Sequence, residues 1–171
     1  MARASATVSR VEINIVGDRE FARDLIGLAG RALSLQPIFE EVLEKLREVV
    51  RQQYRTNGFR GNTPWKPLSE VYRQEKIRRG LDPRIMLARH KLYNSLAHKT
   101  KDSIAEVTDD TLVFGSKAST KKGDRYLKYH QSRKPRKKLA RRAVLALTEM
   151  DRVEIVGMFR SEIVKARRRK P

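Results

Sequence analysis

Asn62-Thr63-Pro64-Trp65-Lys66-Pro67-Leu68-Ser69 holds the only tryptophan of the chain and marks the junction between two helical patterns. Two prolines bracket the indole. Each removes a backbone donor and pushes the preceding residue out of the helical region, so Thr63 and Lys66 are expected to be extended. Ser69 then reads as the N-cap of a helix over 70–79, with Gly80 as its stop. A large apolar ring on a stiffened turn between helices anchors that turn to a core, and this is the role expected of Trp65.

On the N-terminal side, Pro37 suits the first turn of a helix whose apolar face is Ile38, Val42, Leu46, Val49 and Val50, ending near Asn57-Gly58. Glu41 and Lys45 have the spacing of an i,i+4 ion pair on its outer side. Before it, Val8 to Val16 alternates like a half-buried strand, and Phe21, Leu25, Leu28 and Ala32 recur at helical spacing. On the C-terminal side, Arg84 to Leu96 mixes helix and turn signals around Leu87, Leu92 and Leu96. The period then changes. Ile104–Val107 and Thr111–Phe114 flank an Asp109-Asp110 turn and read as a β-hairpin that Gly115-Ser116-Lys117 leaves. Tyr126–Gln131 and Ala143–Leu147 are short apolar patches separated by a basic stretch. From Asp151 to about Lys165 runs a final amphipathic helix with Ile155, Val156, Phe159 and Ile163 inward. The expectation is one α+β domain: a small, mainly antiparallel sheet packed against a long helix and a C-terminal helix, with a folded core over 8–165. Segments 1–7 and 166–171 read as flexible tails, and 116–124 and 132–138 as mobile basic loops.

The chain carries 39 Lys/Arg against 20 Asp/Glu, a net charge of +19. The first 60 residues hold 10 basic and 8 acidic side chains, leaving 29 and 12 for residues 61–171. A surplus gathered in one part of a small domain works against its compact state and favours a polyanionic or acidic partner. Hydrophobic residues make up 39%, enough for a core, and no apolar run reaches the length of a membrane span.

The residues offer little for catalysis, metal binding or a cofactor. There are no cysteines, which excludes disulfides and thiolate chemistry. His90, His98 and His130 lack metal-ligand spacing and read as surface or packing residues. The glycines stand singly, so there is no phosphate loop, and no G-x-S-x-G is present. Asp109-Asp110 is better explained by a turn than by a metal. A nuclease would suit the charge, but no glutamate has a lysine two residues later to complete an acidic nuclease site. Neither enzyme activity nor a cofactor is expected.

Charge supplies the functional signal. Lys121 to Arg142 holds 11 basic residues and one acid, Asp124, with Tyr126 and Tyr129 interleaved. The patch comprises Lys121, Lys122, Arg125, Lys128, Arg133, Lys134, Arg136, Lys137, Lys138 and Arg141. The tyrosines are expected to pack inward; the cations suit DNA or an acidic protein surface. A nucleic-acid-binding module is therefore an alternative reading on charge alone.

Taken in order, several segments resemble the phage virion-morphogenesis family, which acts in tail completion and neck assembly. Its Gly-x-x-Trp-x-Pro-Leu-Ser turn is matched by Trp65, Pro67, Leu68 and Ser69, with Asn62 or Gly61 near the glycine. A Leu-x-x-Ser is matched by Leu92 and Ser95, and a small step closing a hairpin by Gly115-Ser116. Tyr126, His130 and Gln131 match a Tyr-x-x-x-His-Gln element. Arg142, Leu145, Leu147 and Asp151 match an Arg-x-x-Leu-x-Leu-x-x-x-Asp lead into the last helix. Departures are Arg89-His90 where the pattern has Thr-Gly, the basic run 132–138 in place of glycines, and Ala140 and Ala143 in place of prolines. The resemblance implies a structural virion protein, made in the host cytoplasm, that forms a homo-oligomeric ring, six-fold in expectation. The ring would sit in the head–tail neck or upper tail, against connector or tail-tube proteins, with DNA passing through its channel. A factor that aids capsid or tail assembly without entering the virion is a further alternative.

Overall fold

The computed structural model describes residues 35–109, 111–120, 123–131 and 140–168. The strand expected over 8–16, the short helix up to Leu33, the N-terminal tail, residues 169–171 and much of the basic stretch lie outside the described residues, whereas 166–168, expected as part of a flexible tail, continue the last helix. The fold class is α+β, with five helices and one antiparallel hairpin among the described residues.

Helix α1 (Gln36–Arg55) organises the molecule. Ile38, Val42, Leu46, Val49 and Val50 form its buried stripe, and Gln53 and Tyr54 extend it. Pro37 lies in its first turn, where a missing N–H costs nothing, and the backbone N–H of Leu35 donates to Asp109 O at 3.0 Å. The start of the long helix is thereby fixed to the hairpin turn. Lys45 does not take the local role expected of it beside Glu41. Its ammonium pairs instead with Asp151, at 3.4 Å, and with Glu154, both on the C-terminal helix, because those carboxylates lie where α1 is covered.

After α1 the chain turns through Asn57 and Gly58, both at positive φ, into the tryptophan turn. Helix α2 (Glu70–Arg78) follows, with the Ser69 side chain accepting from Tyr72 N at 3.3 Å as its cap. A loop leads to the short helix α3 (Lys91–Ala97), which buries Leu92, Ser95, Leu96 and Ala97. Strands β1 (Ser103–Val107) and β2 (Leu112–Ser116) pair antiparallel, Ser103 opposite Ser116 and Val107 opposite Leu112. The hairpin contacts both α1 and α3. Ser116 thus belongs to the strand, and the hydroxyl of Thr108 closes the turn by accepting from Thr111 N at 3.1 Å. Beyond the strand, Ala118 is buried and Ser119 bridges to Arg125.

Tyr126–Gln131, which reads in the sequence only as an apolar patch, forms one and a half turns of helix, α4. An extended lead over 140–147 then enters α5 (Glu149–Arg168), which packs on α1 through Ile155, with Met158 and Phe159 at the margin of the core. Phe159 meets Phe39 edge-on at 5.9 Å between ring centroids. The helix begins two residues before Asp151 because Thr148 and Asp151 form a reciprocal cap. Thr148 N donates to Asp151 Oδ2 at 2.8 Å, and Asp151 N to Thr148 Oγ1 at 3.2 Å.

Candidate functional site

The residues that carry the family resemblance are far apart in sequence, and the fold brings four of them, Trp65, Gln131, Arg142 and Asp151, into one clasp. Trp65 is 4% exposed. Its backbone N–H donates to Asn57 O at 2.8 Å, and its indole Nε1 donates to Ala143 O at 3.0 Å. Tyr54 meets the indole edge-on at 5.0 Å. Gly58 lies against the same ring: a Cβ there would fall 2.2 Å from Thr63 O and 2.6 Å from the indole Cδ1. The tryptophan therefore does anchor its turn, and its anchorage is the lead segment as well as α1.

That lead has no secondary structure of its own; Arg142 N donates to His130 O at 3.2 Å, and several of its other backbone groups are met by side chains. Gln131 Nε2 donates to Leu145 O at 2.6 Å, while its Oε1 accepts from Val144 N and Leu145 N at 3.0 and 3.2 Å. Gln53, fully buried on α1, donates to Ala143 O at 3.0 Å and Thr63 Oγ1 at 2.9 Å and accepts from Gly61 N. Arg142 spans the other way, donating from Nε and Nη2 to Lys66 O at 3.2 and 2.9 Å. At the end of the lead, the buried Asp151 pairs with Arg60 and Lys45. Burial alone would raise its carboxyl, but the hydrogen bonds from Arg60 and Thr148 outweigh that and hold it well below the usual carboxylate range.

A second pairing joins two other matched elements. Ser95 Oγ, donating to Leu92 O at 2.9 Å, lies 2.6 Å from Ser116 Oγ, which accepts from Ala118 N at 3.0 Å. Gly115 is buried beside it. Leu145 and Leu147 pack at the edge of the core. Pro67 is exposed and Leu68 half-buried at the rim of a cleft.

That cleft, about 330 Å³, lies between α2, the loop before α3, and α4. Its walls include Tyr72 and Lys76 of α2, Met86, Tyr126 and His130 of α4, and Arg142. Lys76 is 2% exposed, and its Nζ donates to Arg84 O at 2.6 Å. Burial pushes the Lys76 ammonium below its ordinary value, with nearby Asp82 opposing and Arg142 adding to the shift. His130 has a buried Nδ1 without a hydrogen-bond partner, and burial, with Arg142 nearby, lowers its ring to about 4. Burial also lowers Arg142. Asp82 is committed elsewhere: hydrogen bonding from Arg84 holds it at about 2, and His90 Nε2 lies 3.0 Å from it.

Of the basic patch, Arg125, Lys128 and Arg141 are described. Lys128 and Arg141 are exposed and Arg125 is half-buried. Lys121, Lys122, Arg133, Lys134, Arg136, Lys137 and Lys138 lie outside the described residues. Tyr126 packs against the core and Tyr129 donates from its hydroxyl to Asp124 at 2.9 Å, so both tyrosines are engaged within the fold. Among the described residues there is no group of three or more His, Asp or Glu placed to hold a metal ion, and no helix long and apolar enough to cross a membrane.

Gln53, Arg60 and Lys76 are central here and carry no motif. Gln53 had one signal: it continues the spacing of Leu46 and Val50 on an otherwise apolar face. Thr148-x-x-Asp151 had the spacing of a capping box. Comparison of the chain with protein-family models, curated proteins and solved structures gave no match.

Proposed function

We propose that this chain is a structural component of a tailed-phage particle, forming a ring in the head–tail neck or upper tail and acting by assembly rather than catalysis. The observation that carries this reading concerns two positions where the family pattern has glycine and this chain does not. Asn62 stands at the glycine of Gly-x-x-Trp and has φ of 50°; His90 stands at the glycine before Leu-x-x-Ser and has φ of 55°. Both take the left-handed conformation that glycine adopts most readily and that Asn and His enter more often than most other residues. A backbone that accommodates glycine at both positions supports the reading. The joining of Trp65, Gln131, Arg142 and Asp151 in one clasp supports the same reading, since residues that share a structural task explain a motif better than residues scattered over the surface.

In this proposal the basic surface including Lys128 and Arg141 faces an acidic neighbouring ring or the DNA channel. Mass spectrometry of purified particles, with light scattering and electron microscopy of the isolated protein, tests it. The expected result is the chain in mature particles at ring stoichiometry. Its absence from mature particles whose assembly requires it would replace this reading with that of an assembly factor.

A further inference from the structure

We propose that the cleft between α2, the loop before α3, and α4 receives a carboxylate from an acidic, partly apolar segment of a partner protein. The proposal does not rest on the virion reading; it follows from charge and shape in this chain. Two cationic side chains, Lys76 and Arg142, line the cleft while almost wholly removed from solvent, at 2% and 9% exposed. Each donates to a main-chain carbonyl, Arg84 O and Lys66 O, and among the described residues neither has a carboxylate in hydrogen-bond contact. A carbonyl orients a cation but leaves its charge uncompensated, and buried cations are ordinarily matched by an anion.

No acidic side chain among the described residues lines the cleft, and Asp82, whose charge acts on Lys76, is itself engaged by Arg84 and lies against His90. Exposed Arg89 and Lys91 add positive charge at the mouth. An anion entering would therefore meet cations first at the rim and then at depth, with His130 Nδ1 among the polar atoms still without a partner. The volume, about 330 Å³, is that of a small ligand site and suits one or two side chains.

The choice of a protein carboxylate over a nucleic-acid phosphate comes from recession and lining. Phosphates on a duplex are met by protruding cations, whereas Lys76 and Arg142 lie at depth. Leu68, Met86 and Leu92 supply apolar wall between them, which fits an acidic residue flanked by an apolar one.

The test is fluorescence anisotropy with the full chain and a fluorescein-labelled short peptide of alternating glutamate and leucine. Its copy with glutamine for glutamate, a single-stranded oligothymidylate and inorganic phosphate serve as the other arms, all at physiological salt. The expected result is saturable binding of the glutamate peptide that the glutamine copy lacks and that phosphate displaces poorly. Lys76→Met, which keeps the side chain's length and removes its charge, is expected to weaken binding about tenfold or more. Lys101→Gln, an exposed charge outside the cleft, should change it less than about twofold. If Lys76→Met does not fold, the double variant Arg89→Gln, Lys91→Gln at the mouth decides, with a loss of about fivefold expected. No saturable binding by the wild-type chain overturns the proposal. So does equal weakening by Lys101→Gln and the cleft variants, which would make the effect one of net charge, and so does tighter binding of the oligonucleotide that the cleft variants abolish.

Discussion

The clasp around Trp65 and helix α2 are neighbours in sequence and opposites in construction. In the clasp, Gln53, Trp65 and Asp151 are buried and each has named hydrogen-bond partners, drawn from positions as far apart as Gln53 and Ala143. In α2, nine residues bury a single side chain, and that side chain is a lysine. Val71, Tyr72 and Ile77 are instead exposed, Val71 at 80%. Both begin from unambiguous local signals, the prolines in one case and the Ser69 cap in the other. Local signals decide that a segment turns or coils; only a periodic apolar stripe decides which side it buries, and α2 has none. The chain's own core holds the first region in place and leaves the second with an outward face.

The sharpest way to break this contrast is Trp65→Ala. Loss of the ring and of the bond to Ala143 is expected to cost about 3–5 kcal/mol, read as a lowered urea midpoint. A variant melting like the wild type would show that the turn is held by something other than its tryptophan. Next comes Asp151→Asn, which leaves Arg60 and Lys45 facing a neutral amide. A loss of roughly 2–3 kcal/mol is expected at neutral pH, shrinking in acid as the native carboxylate itself becomes protonated.

His130 lies on the border between the two regions and should give the fold a pH dependence. Its folded value is about 4, below the ordinary 6.5, so the unfolded chain binds more protons in between. Its contribution is therefore complete above about pH 6.5 and is lost as pH falls toward 4, by roughly 2 kcal/mol at pH 5. Denaturation of His130→Phe at a series of pH values should show a flatter slope than wild type; an unchanged slope would place the titration elsewhere. His90→Gly is expected to move stability the other way, raising it by about 1 kcal/mol through relief of the left-handed backbone, less whatever the Asp82 contact contributes. A fall in melting temperature would mean that the contact with Asp82 outweighs the strain. At the far end of the contrast, Ile77→Ser on α2 should change monomer stability by less than about 0.5 kcal/mol. If it costs as much as Trp65→Ala, α2 is covered by another chain and the contrast vanishes on assembly.

Much of the scaffold was legible in the sequence, and for stated reasons. Ile38, Val42, Leu46, Val49 and Val50 repeat at helical spacing, and all five are buried. Ser69 has few roles other than a cap when it follows Pro67 and precedes a helical run, and Ile104 and Phe114 fall on paired strands as the alternation around Asp109-Asp110 implied. The Trp65 anchor was legible from ring size and flanking prolines, but its acceptor, Ala143 O, was not. A main-chain carbonyl has no sequence signature, and a contact across that separation leaves no period. The cleft was harder still. A lysine on a polar helix reads as solvated, and Lys76 is buried because the 82–90 loop folds over it, a matter of tertiary path. Lys45 shows the converse: the local partner Glu41 was visible in the spacing, while Asp151 and Glu154 became its partners only when α5 came to rest on α1.

The side-chain bonding of the 140–148 lead has a consequence in time. A helix or hairpin can complete its backbone bonding from its own residues as soon as it leaves the ribosome. The lead cannot, because Gln53, Trp65 and Gln131 must already be in position to receive it, and Asp151 must emerge before Arg60 is matched. Residues 53–65 therefore wait through the synthesis of some eighty more before their buried polar groups are satisfied. During that wait the nascent chain holds an open seam along α1, and closing it is a late step in the chain's own synthesis.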